Sequence, residues 1–171
     1  MYKRQVQKLP DVPTLFDSET NIVVKDSKEG WSKALRQLIA LLYSGEIPTW
    51  DTSRVRPAGA RLRTFGGRAS GPAPLIDLFN FAITTFKAAQ GRRLSSIECH
   101  DLMCKIGEVV VVGGVRRSAT ISLSNLSDDK MRHAKSGAWW ENNPHRALAN
   151  NSVCYTEKPD SLSFMLSLIH I

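Results

Sequence analysis

The stretch from Val109 to Asn125 combines residue types suited to holding a phosphate-bearing ligand. Its valines end at Gly113 and Gly114, and Arg116 and Arg117 follow directly. Paired glycines allow backbone N–H groups to approach a ligand closely, and planar guanidinium groups match phosphate oxygens. The pattern predicts a nucleotide-binding loop between two buried elements. The alternative that the residues leave open is a tight turn with two solvated arginines.

A second glycine-rich and basic stretch extends from Val55 to Pro74. It leads into a helical pattern at Pro72, and proline is favoured in the first turn of a helix. Helix N-termini bind anions through their free N–H groups and the helix dipole. The stretch lacks the Gly-Lys-Ser/Thr ending of a P-loop and the G-x-G-x-x-G of dinucleotide-binding loops. It predicts an anion site of another kind, whose residues are Arg61, Arg63, Gly66, Gly67, Arg68, Ser70 and Gly71.

Helical patterns lie on both sides of this loop. After Pro72, apolar residues at three- and four-residue spacing predict one buried helix face made of Leu75, Leu78, Phe79, Ala82, Ile83 and Phe86, with Gly91 as the C-terminal cap. Asp26 or Ser27 can cap an earlier helix that ends at Gly45. The apolar stripe of that helix consists of Trp31, Ala34, Leu35, Leu38 and Leu42.

The second half of the chain combines shorter elements. Ser95 and Glu98 have the spacing of a capping box and predict a third helix. The valines at 109–112 favour a strand by propensity, so the pattern alone leaves the end of that helix undecided. A short helix is predicted from Ser127 to about Lys135. Strands are predicted over Asn21–Lys25, Ala119–Leu123 and Ala147–Tyr155.

Composition limits the partners. The chain has 171 residues, of which 42% are hydrophobic, enough for one compact domain. A net charge of +7 suits polyphosphates and also nucleic acid, but no continuous basic run or aromatic-interleaved ladder is present, so no nucleic-acid partner is expected. No apolar run approaches the roughly 20 residues that span a bilayer, and no membrane association is expected. Trp139 and Trp140 are predicted to pack at a turn.

The chain contains three cysteines, Cys99, Cys104 and Cys154. Their number does not suit a disulfide framework and points to a reducing cytoplasm. Cys99, His100 and Cys104 match no standard zinc spacing, so no metal site is predicted. Helical spacing places Cys99, Met103 and Ile106 on one face, and the cysteines are interpreted as buried packing residues.

Three segments together resemble the adenosylcobalamin-dependent (class II) ribonucleotide reductases of the ribonucleoside-triphosphate reductase type. They read RPAGARLRTFGGRASGP, ECHDLMCKIGEVVVVGGVRRSATISLSNLSDDKMRHAKSGAWWENNP and RALANNSVCYTEKPD. The likeness runs nearly continuously from about Val23 to Asp160, with the loops in the same order. It implies an α/β fold, namely an incomplete section of the family's ten-stranded α/β barrel, and it favours a helix before the Gly113 loop.

The resemblance also implies an activity. Members of the family replace the ribose 2′-hydroxyl by hydrogen through a cysteine thiyl radical that adenosylcobalamin initiates. The cofactor supplies the radical chemistry, and the protein contributes orientation and exclusion of side reactions. The implied partners are a ribonucleoside triphosphate substrate, a deoxynucleotide effector and a thioredoxin-type reductant, in the cytoplasm.

By the same resemblance, the chain carries regulatory and substrate-facing parts of the enzyme. The family's specificity loop, which lies between effector and substrate base and couples the two, matches Gly113, Gly114, Val115, Arg116, Arg117, Ser118 and Ala119. The segment Arg61–Gly71 matches the first glycine-rich loop. Asn150, Asn151 and Ser152 are suggested to face the substrate pocket, because amides pair with sugar hydroxyls or base edges. Satisfying backbone groups at a strand start is their alternative role.

The chain departs from the family at the catalytic cysteines. The family's radical cysteine lies in an Asn-x-Cys-x-Glu context, and no cysteine of this sequence has one. The resemblance implies that the first redox cysteine precedes Val6 and that the radical cysteine lies beyond Met165. We therefore expect no catalytic residue here and no ribonucleotide reduction by this chain alone.

The two ends are expected to be foreign to the protein. Residues 1–5 and 166–171 look like translations of a sequencing-library adaptor, so the partial barrel domain is expected over 6–165.

Two other function classes remain open, a different nucleotide-binding enzyme and a basic nucleic-acid-binding module. An Asn-x-Cys-x-Glu motif downstream in the same reading frame would establish the reductase.

Overall fold

The computed structural model describes residues 9–61, 67–109, 120–155, 157–162 and 164–165, which form helices and parallel strand pairs in two compact units. The first unit contains the described residues up to Leu94, and the second contains those from Ser95 onward. The expected mixture of α and β structure is confirmed. Within the described residues, no helix combines the length and apolar character needed to cross a membrane.

A parallel strand pair organises the first unit. Strand β1 (Phe16–Val23) pairs with β2 (Glu46–Asp51), and helix α1 (Lys28–Tyr43) connects them. A parallel pair needs such a crossover because the second strand must begin at the same end of the sheet as the first. The strand predicted over 21–25 exists, but it starts earlier, at Phe16, and ends at Val23.

Helix α1 follows its predicted pattern. Of the two cap candidates, Ser27 is the N-cap, and its Oγ accepts a hydrogen bond from the Gly30 N–H at 2.9 Å. The buried side of the helix contains Gly30, Ala34, Leu38 and Leu42, whereas Trp31 and Leu35 are half-buried. The helix ends at Tyr43, and Gly45 takes a φ of +91° just beyond it.

Helix α2 (Ala73–Ala88) contributes much of the first unit's core. Five of the six predicted positions are buried and Ile83 is half-buried. Phe79 meets Trp50 of β2 edge to face at 5.4 Å, and Phe86 meets Tyr43 of α1 at 4.9 Å. The predicted cap at Gly91 is wrong: Ala89 is the C-cap.

The second unit begins with helix α3 (Ser96–Val109). The Glu98 half of the predicted capping box is confirmed, because the Glu98 carboxylate accepts a hydrogen bond from the Ser95 N–H at 2.7 Å. The same carboxylate accepts a hydrogen bond from the Ser95 hydroxyl at 2.8 Å. Helix α4 (Asp129–Arg132) follows, and its cap is Asp128 rather than Ser127, since the Asp128 carboxylate accepts from the Met131 N–H. The valines at 110–112 lie outside the described residues.

Strands β3 (Thr120–Ser124) and β4 (Ala149–Val153) form a parallel pair. The predicted strand 147–155 starts later because Pro144–Leu148 forms a 3₁₀ helix. Between the strands lies the one-turn helix α5 (Trp139–Asn142). Trp139 is half-buried beneath the Lys135 ammonium, as the predicted packing requires. Trp140 meets the Trp139 ring edge to face at 6.2 Å but is otherwise 59% exposed.

The close approach of Gly30 to Lys25 at the start of α1 leads to a testable prediction. Alanine is the better helix former by about 0.8–1.0 kcal/mol, which favours a Gly30→Ala substitution. However, a Cβ at this position would lie 2.4 Å from the Lys25 carbonyl oxygen, which is backbone and cannot swing aside. We predict that Gly30→Ala lowers the unfolding free energy by roughly 1–3 kcal/mol in chemical denaturation. The exposed Ser32→Ala on the same helix is the control, and a stabilised Gly30→Ala variant would contradict the packing argument.

Candidate functional site

The paired strands β3 and β4 present one open face. Partners in register point to the same side of a sheet, and Ile121 lies beside Asn150 while Leu123 lies beside Ser152. Ile121 is 67% exposed, Leu123 is 59% exposed and Asn150 is exposed. This open face therefore combines apolar surface with the side-chain amide of Asn150 and the hydroxyl of Ser152.

Asn151 faces the opposite side of the sheet, toward helix α3. Its Nδ2 lies 3.2 Å from Nε2 of His100, a buried side chain of that helix. Asn151 Oδ1 is buried without a hydrogen-bond partner. Because side chains alternate along a strand, the three predicted substrate-facing residues belong to two environments. A pocket on one face of the sheet can therefore be lined by Asn150 and Ser152 or by Asn151, but not by all three residues.

The His100 side of the sheet contains a buried ion pair. Asp101 accepts two hydrogen bonds from Arg146, from Nε at 2.7 Å and from Nη2 at 2.6 Å. Arg146 Nη1 donates a third, at 2.7 Å, to the Ala134 carbonyl oxygen. His145 Nε2 lies 3.4 Å from the same carboxylate. The Asp101 and Arg146 side chains are only 12% and 13% exposed, so solvent screens the pair weakly.

The ion pair fixes the direction of the neighbouring hydrogen bonds. Burial raises the pKa of Asp101, but hydrogen bonds from Arg146, His100 and His145 outweigh it and hold the pKa far below its usual range. An ionised carboxylate only accepts, so His100 Nδ1, at 3.2 Å, is the donor to it. In the neutral imidazole Nε2 is then an acceptor, and it accepts a hydrogen bond from Asn151 Nδ2. We name the series Asp101–His100–Asn151 the amide relay.

The cysteines do not form the buried set that the spacing predicted. Cys104 is buried against the His100 ring, with its Sγ 3.7 Å from Nε2, but Cys99 is only half-buried and Cys154 is exposed. Met103 is 55% exposed, so the predicted apolar face of α3 is wrong. The helix instead buries His100 and Asp101, because these polar side chains have partners elsewhere in the second unit.

The buried thiol is chemically quiet. Burial, followed by the negative charge of Asp101, raises the pKa of Cys104 to about 11. Burial, followed by Glu98, also raises the pKa of Cys99. Neither thiol has the lowered pKa of a reactive cysteine. Among the residues that the structure describes, no group of three or more His, Cys, Asp or Glu side chains is arranged to hold a metal ion.

The basic glycine-rich loop lies in the first unit. The backbone of Arg61 pairs with that of Arg68 in an antiparallel bridge, and Arg68 Nη1 donates to the Gly59 carbonyl oxygen at 3.1 Å. Gly71 has a φ of +72°, and a Cβ there would lie 2.8 Å from the Ala58 nitrogen. Both arginines are exposed, and the loop leads directly into α2, whose N-terminus has no side-chain cap. This arrangement can bind an anion.

Part of the predicted site lies outside the described residues. Arg63 and Gly66 of the glycine-rich loop belong to that part, as does the whole predicted specificity loop, 113–119. Their assignment stays a prediction. Gly67, at a φ of +90°, and Ser70 lie within the described residues, and Ser70 is half-buried.

Comparisons with known proteins identify the family. Residues 11–85 match the family model described as the insertion domain of B12-dependent ribonucleotide reductase. The adenosylcobalamin-dependent ribonucleoside-triphosphate reductase of Lactobacillus acidophilus is 35% identical over 142 residues, which are 78% of this chain and 18% of that protein. The chain belongs to the B12-dependent ribonucleotide reductase family.

A second relative supports the family, and a solved structure shows the same fold. The corresponding reductase of Euglena gracilis is 33% identical over 137 residues, covering 77% of this chain and 18% of that protein. A crystal structure of a B12-dependent (class II) ribonucleotide reductase superimposes with a TM-score of 0.72 at 23% identity, over 88% of this chain and 25% of that one. The chain thus spans about a fifth of the length of these curated relatives.

Sequence reasoning missed the polar network of this reductase segment. Asp101 and Arg146 were not singled out, and His100 was considered only as a metal ligand, although the three form its most buried charged cluster among the described residues. One signal was present: His100 lies one turn before Cys104 and about two turns before Gly107, on the face that α3 buries. A charged residue on a buried helix face requires a partner, but the sequence does not say which arginine supplies it.

We predict that Asp101→Asn destabilises the protein. Removing one partner of a buried ion pair leaves the Arg146 charge uncompensated, which costs about 3–5 kcal/mol of unfolding free energy. Denaturant titration near neutral pH would measure this loss. Asp129→Asn is the control, because its contact with Arg132 is 3.4 Å and the Asp129 side chain is 77% exposed. An exposed pair of this kind contributes about 0.2–1 kcal/mol.

The same pair predicts a pH dependence. The native pKa of Asp101 is lowered, so its stabilising contribution is complete above the unfolded-state pKa of about 3.9 and is lost as the pH falls toward the native pKa. The stability difference between the wild type and Asp101→Asn should therefore shrink in acid. A difference that stays constant from neutral pH to strong acid would be incompatible with an ionised Asp101.

Proposed function

We propose that this chain is a section of an adenosylcobalamin-dependent ribonucleoside-triphosphate reductase that contributes the effector and substrate loops. The observation that carries the proposal is the 35% identity to the Lactobacillus acidophilus reductase over 142 residues. Reduction of the ribose occurs in the complete enzyme through a cysteine thiyl radical, with a thioredoxin-type reductant restoring the redox cysteines. The catalytic cysteines lie outside residues 6–165, and residues 1–5 and 166–171 are extraneous tails.

The proposed architecture is a section of a ten-stranded α/β barrel. In α/β barrels the helices lie outside and the other side of the sheet faces inward. Helix α3 contacts the Asn151 side of β4, so the open face with Asn150 and Ser152 is the inward side. We therefore assign substrate contact to Asn150 and Ser152. Asn151, which the sequence analysis also suggested for substrate contact, instead contacts His100 of helix α3.

The loops would recognise the two nucleotides of the enzyme. Arg116 and Arg117 offer charge-assisted hydrogen bonds to an effector or substrate, and Gly113 and Gly114 give their loop conformational freedom. The described arginines of the glycine-rich loop, Arg61 and Arg68, lie before the α2 N-terminus and would neutralise phosphate charge. A loop in contact with both ligands couples their binding, and the coupling is reciprocal.

Adenosylcobalamin is proposed as the cofactor of the complete enzyme, where it would supply the radical. The imidazoles of His100 and His145 do not fit a cobalamin ligand set, because both are buried against Asp101. We derive no step through the cobalt for this chain. Its own residues bind and orient the nucleotides.

The specificity loop gives the test of this proposal. In the full-length reductase, Arg117→Ala should abolish effector-dependent selection among the four substrates while basal turnover of one substrate changes little. A hydrogen bond to a charged group contributes about 1.5–3 kcal/mol, which matches typical coupling energies of about 1–3 kcal/mol. Substrate-competition assays with and without each deoxynucleotide would measure the selection. The exposed Arg36→Ala on α1 is the control, and unchanged effector dependence in Arg117→Ala would reject the loop assignment.

A further inference from the structure

Asn151 occupies a position where an amide is costly. Its Oδ1 is buried without a hydrogen-bond partner, and an unsatisfied buried polar atom destabilises the folded state. What the amide gains is a single directed contact, from Nδ2 to His100 Nε2 at 3.2 Å. An apolar side chain of similar size would fill the same space without the unsatisfied oxygen. The amide therefore contributes a directed hydrogen bond that fixes the position of Asn151, and with it β4, relative to His100.

The amide relay has a fixed polarity. Two hydrogen bonds from Arg146 keep Asp101 ionised, and the carboxylate orients the His100 imidazole through Nδ1. Nε2 then presents its lone pair to β4, and only a donor satisfies it. The Cys104 thiol, with its Sγ 3.7 Å from the same nitrogen, is a second and weaker donor. The position of the Asn151 donor is thus specified from the helix side.

Two other contacts hold the start of β4. Lys135 Nζ donates to the Ala149 carbonyl oxygen at 2.5 Å. Arg146 lies in the 3₁₀ helix that leads directly into the strand, and it binds Asp101 on α3. The start of the strand is therefore anchored, and the amide relay anchors its middle. Asn150 and Ser152 flank that anchor and point to the other side of the sheet.

We propose that His100 and Asn151 are positioning residues that set β4 so that Asn150 and Ser152 meet the nucleotide on the open face. This inference rests on the proposed function, because it assumes that the open face receives the substrate. His100 and Asn151 act through the strand and do not touch the ligand. Their loss displaces both substrate-facing side chains together, since the two lie on either side of Asn151.

The test removes the hydrogen bond without leaving either partner unpaired. The double variant His100→Phe/Asn151→Leu in the full-length reductase replaces both groups by apolar ones, a change that is nearly neutral for stability when shape is kept. We expect a modestly lower melting temperature, because Asp101 loses the His100 donor but keeps both Arg146 hydrogen bonds. We also expect an unchanged kcat and a KM for the ribonucleoside triphosphate raised about tenfold, equivalent to about 1.4 kcal/mol. Ser122→Ala is the matched control, because Ser122 lies in register with Asn151 on the same face. It should leave KM unchanged.

Each other outcome rejects the inference. An unchanged KM in the folded double variant shows that the contact positions nothing. A lower melting temperature with normal kinetic constants shows a merely structural role. If the double variant does not fold, Asn151→Ala must raise KM to the same extent, and a normal KM there is equally decisive. Asn150→Ala tests the proposed function separately: a normal KM in that variant would reject the substrate-facing assignment itself, whatever the double variant does.

Discussion

The buried pair of Asp101 and Arg146 is the interaction on which the second unit depends. Two charges removed from water must be paired, and Arg146 supplies two hydrogen bonds to the carboxylate in the geometry of a fork. The pair keeps Asp101 an acceptor, and this state determines which His100 nitrogen carries the hydrogen. It also joins α3 to the 3₁₀ helix before β4. One ion pair thereby sets both the chemistry of a neighbouring ring and the start of a strand.

Alternation along β4 gives three consecutive polar residues different roles. Asn150 and Ser152 lie on the open face beside Ile121 and Leu123, and Asn151 reaches back to α3. A nucleoside combines apolar base faces with polar hydroxyls, and the open face offers both kinds of surface. The helix side offers no such surface, because it is filled by the polar network. The strand geometry thus divides the three residues suggested from the sequence, and our proposal assigns substrate contact to Asn150 and Ser152.

Local signals in the sequence predicted the helices well. The Ser27 cap, the hydrogen bond from the Ser95 N–H to Glu98 and most of the α2 stripe depend on residues within a few positions of one another, and the structure confirms them. The buried face of α3 was predicted wrongly because its burial depends on Arg146, 45 residues away. The spacing of apolar residues predicted that Met103 lies on the buried face, but its side chain is exposed. The paired-arginine loop at 113–119 lies outside the described residues, so its role rests on resemblance and composition.

A structure of the full-length reductase with a ribonucleoside triphosphate bound tests the account most directly. The account predicts that polar atoms of the nucleotide lie within about 3.5 Å of the Asn150 amide or the Ser152 hydroxyl, and that Asn151 keeps its contact with His100. A nucleotide bound on the α3 side of β4, or one remote from the open face of β3 and β4, would contradict it.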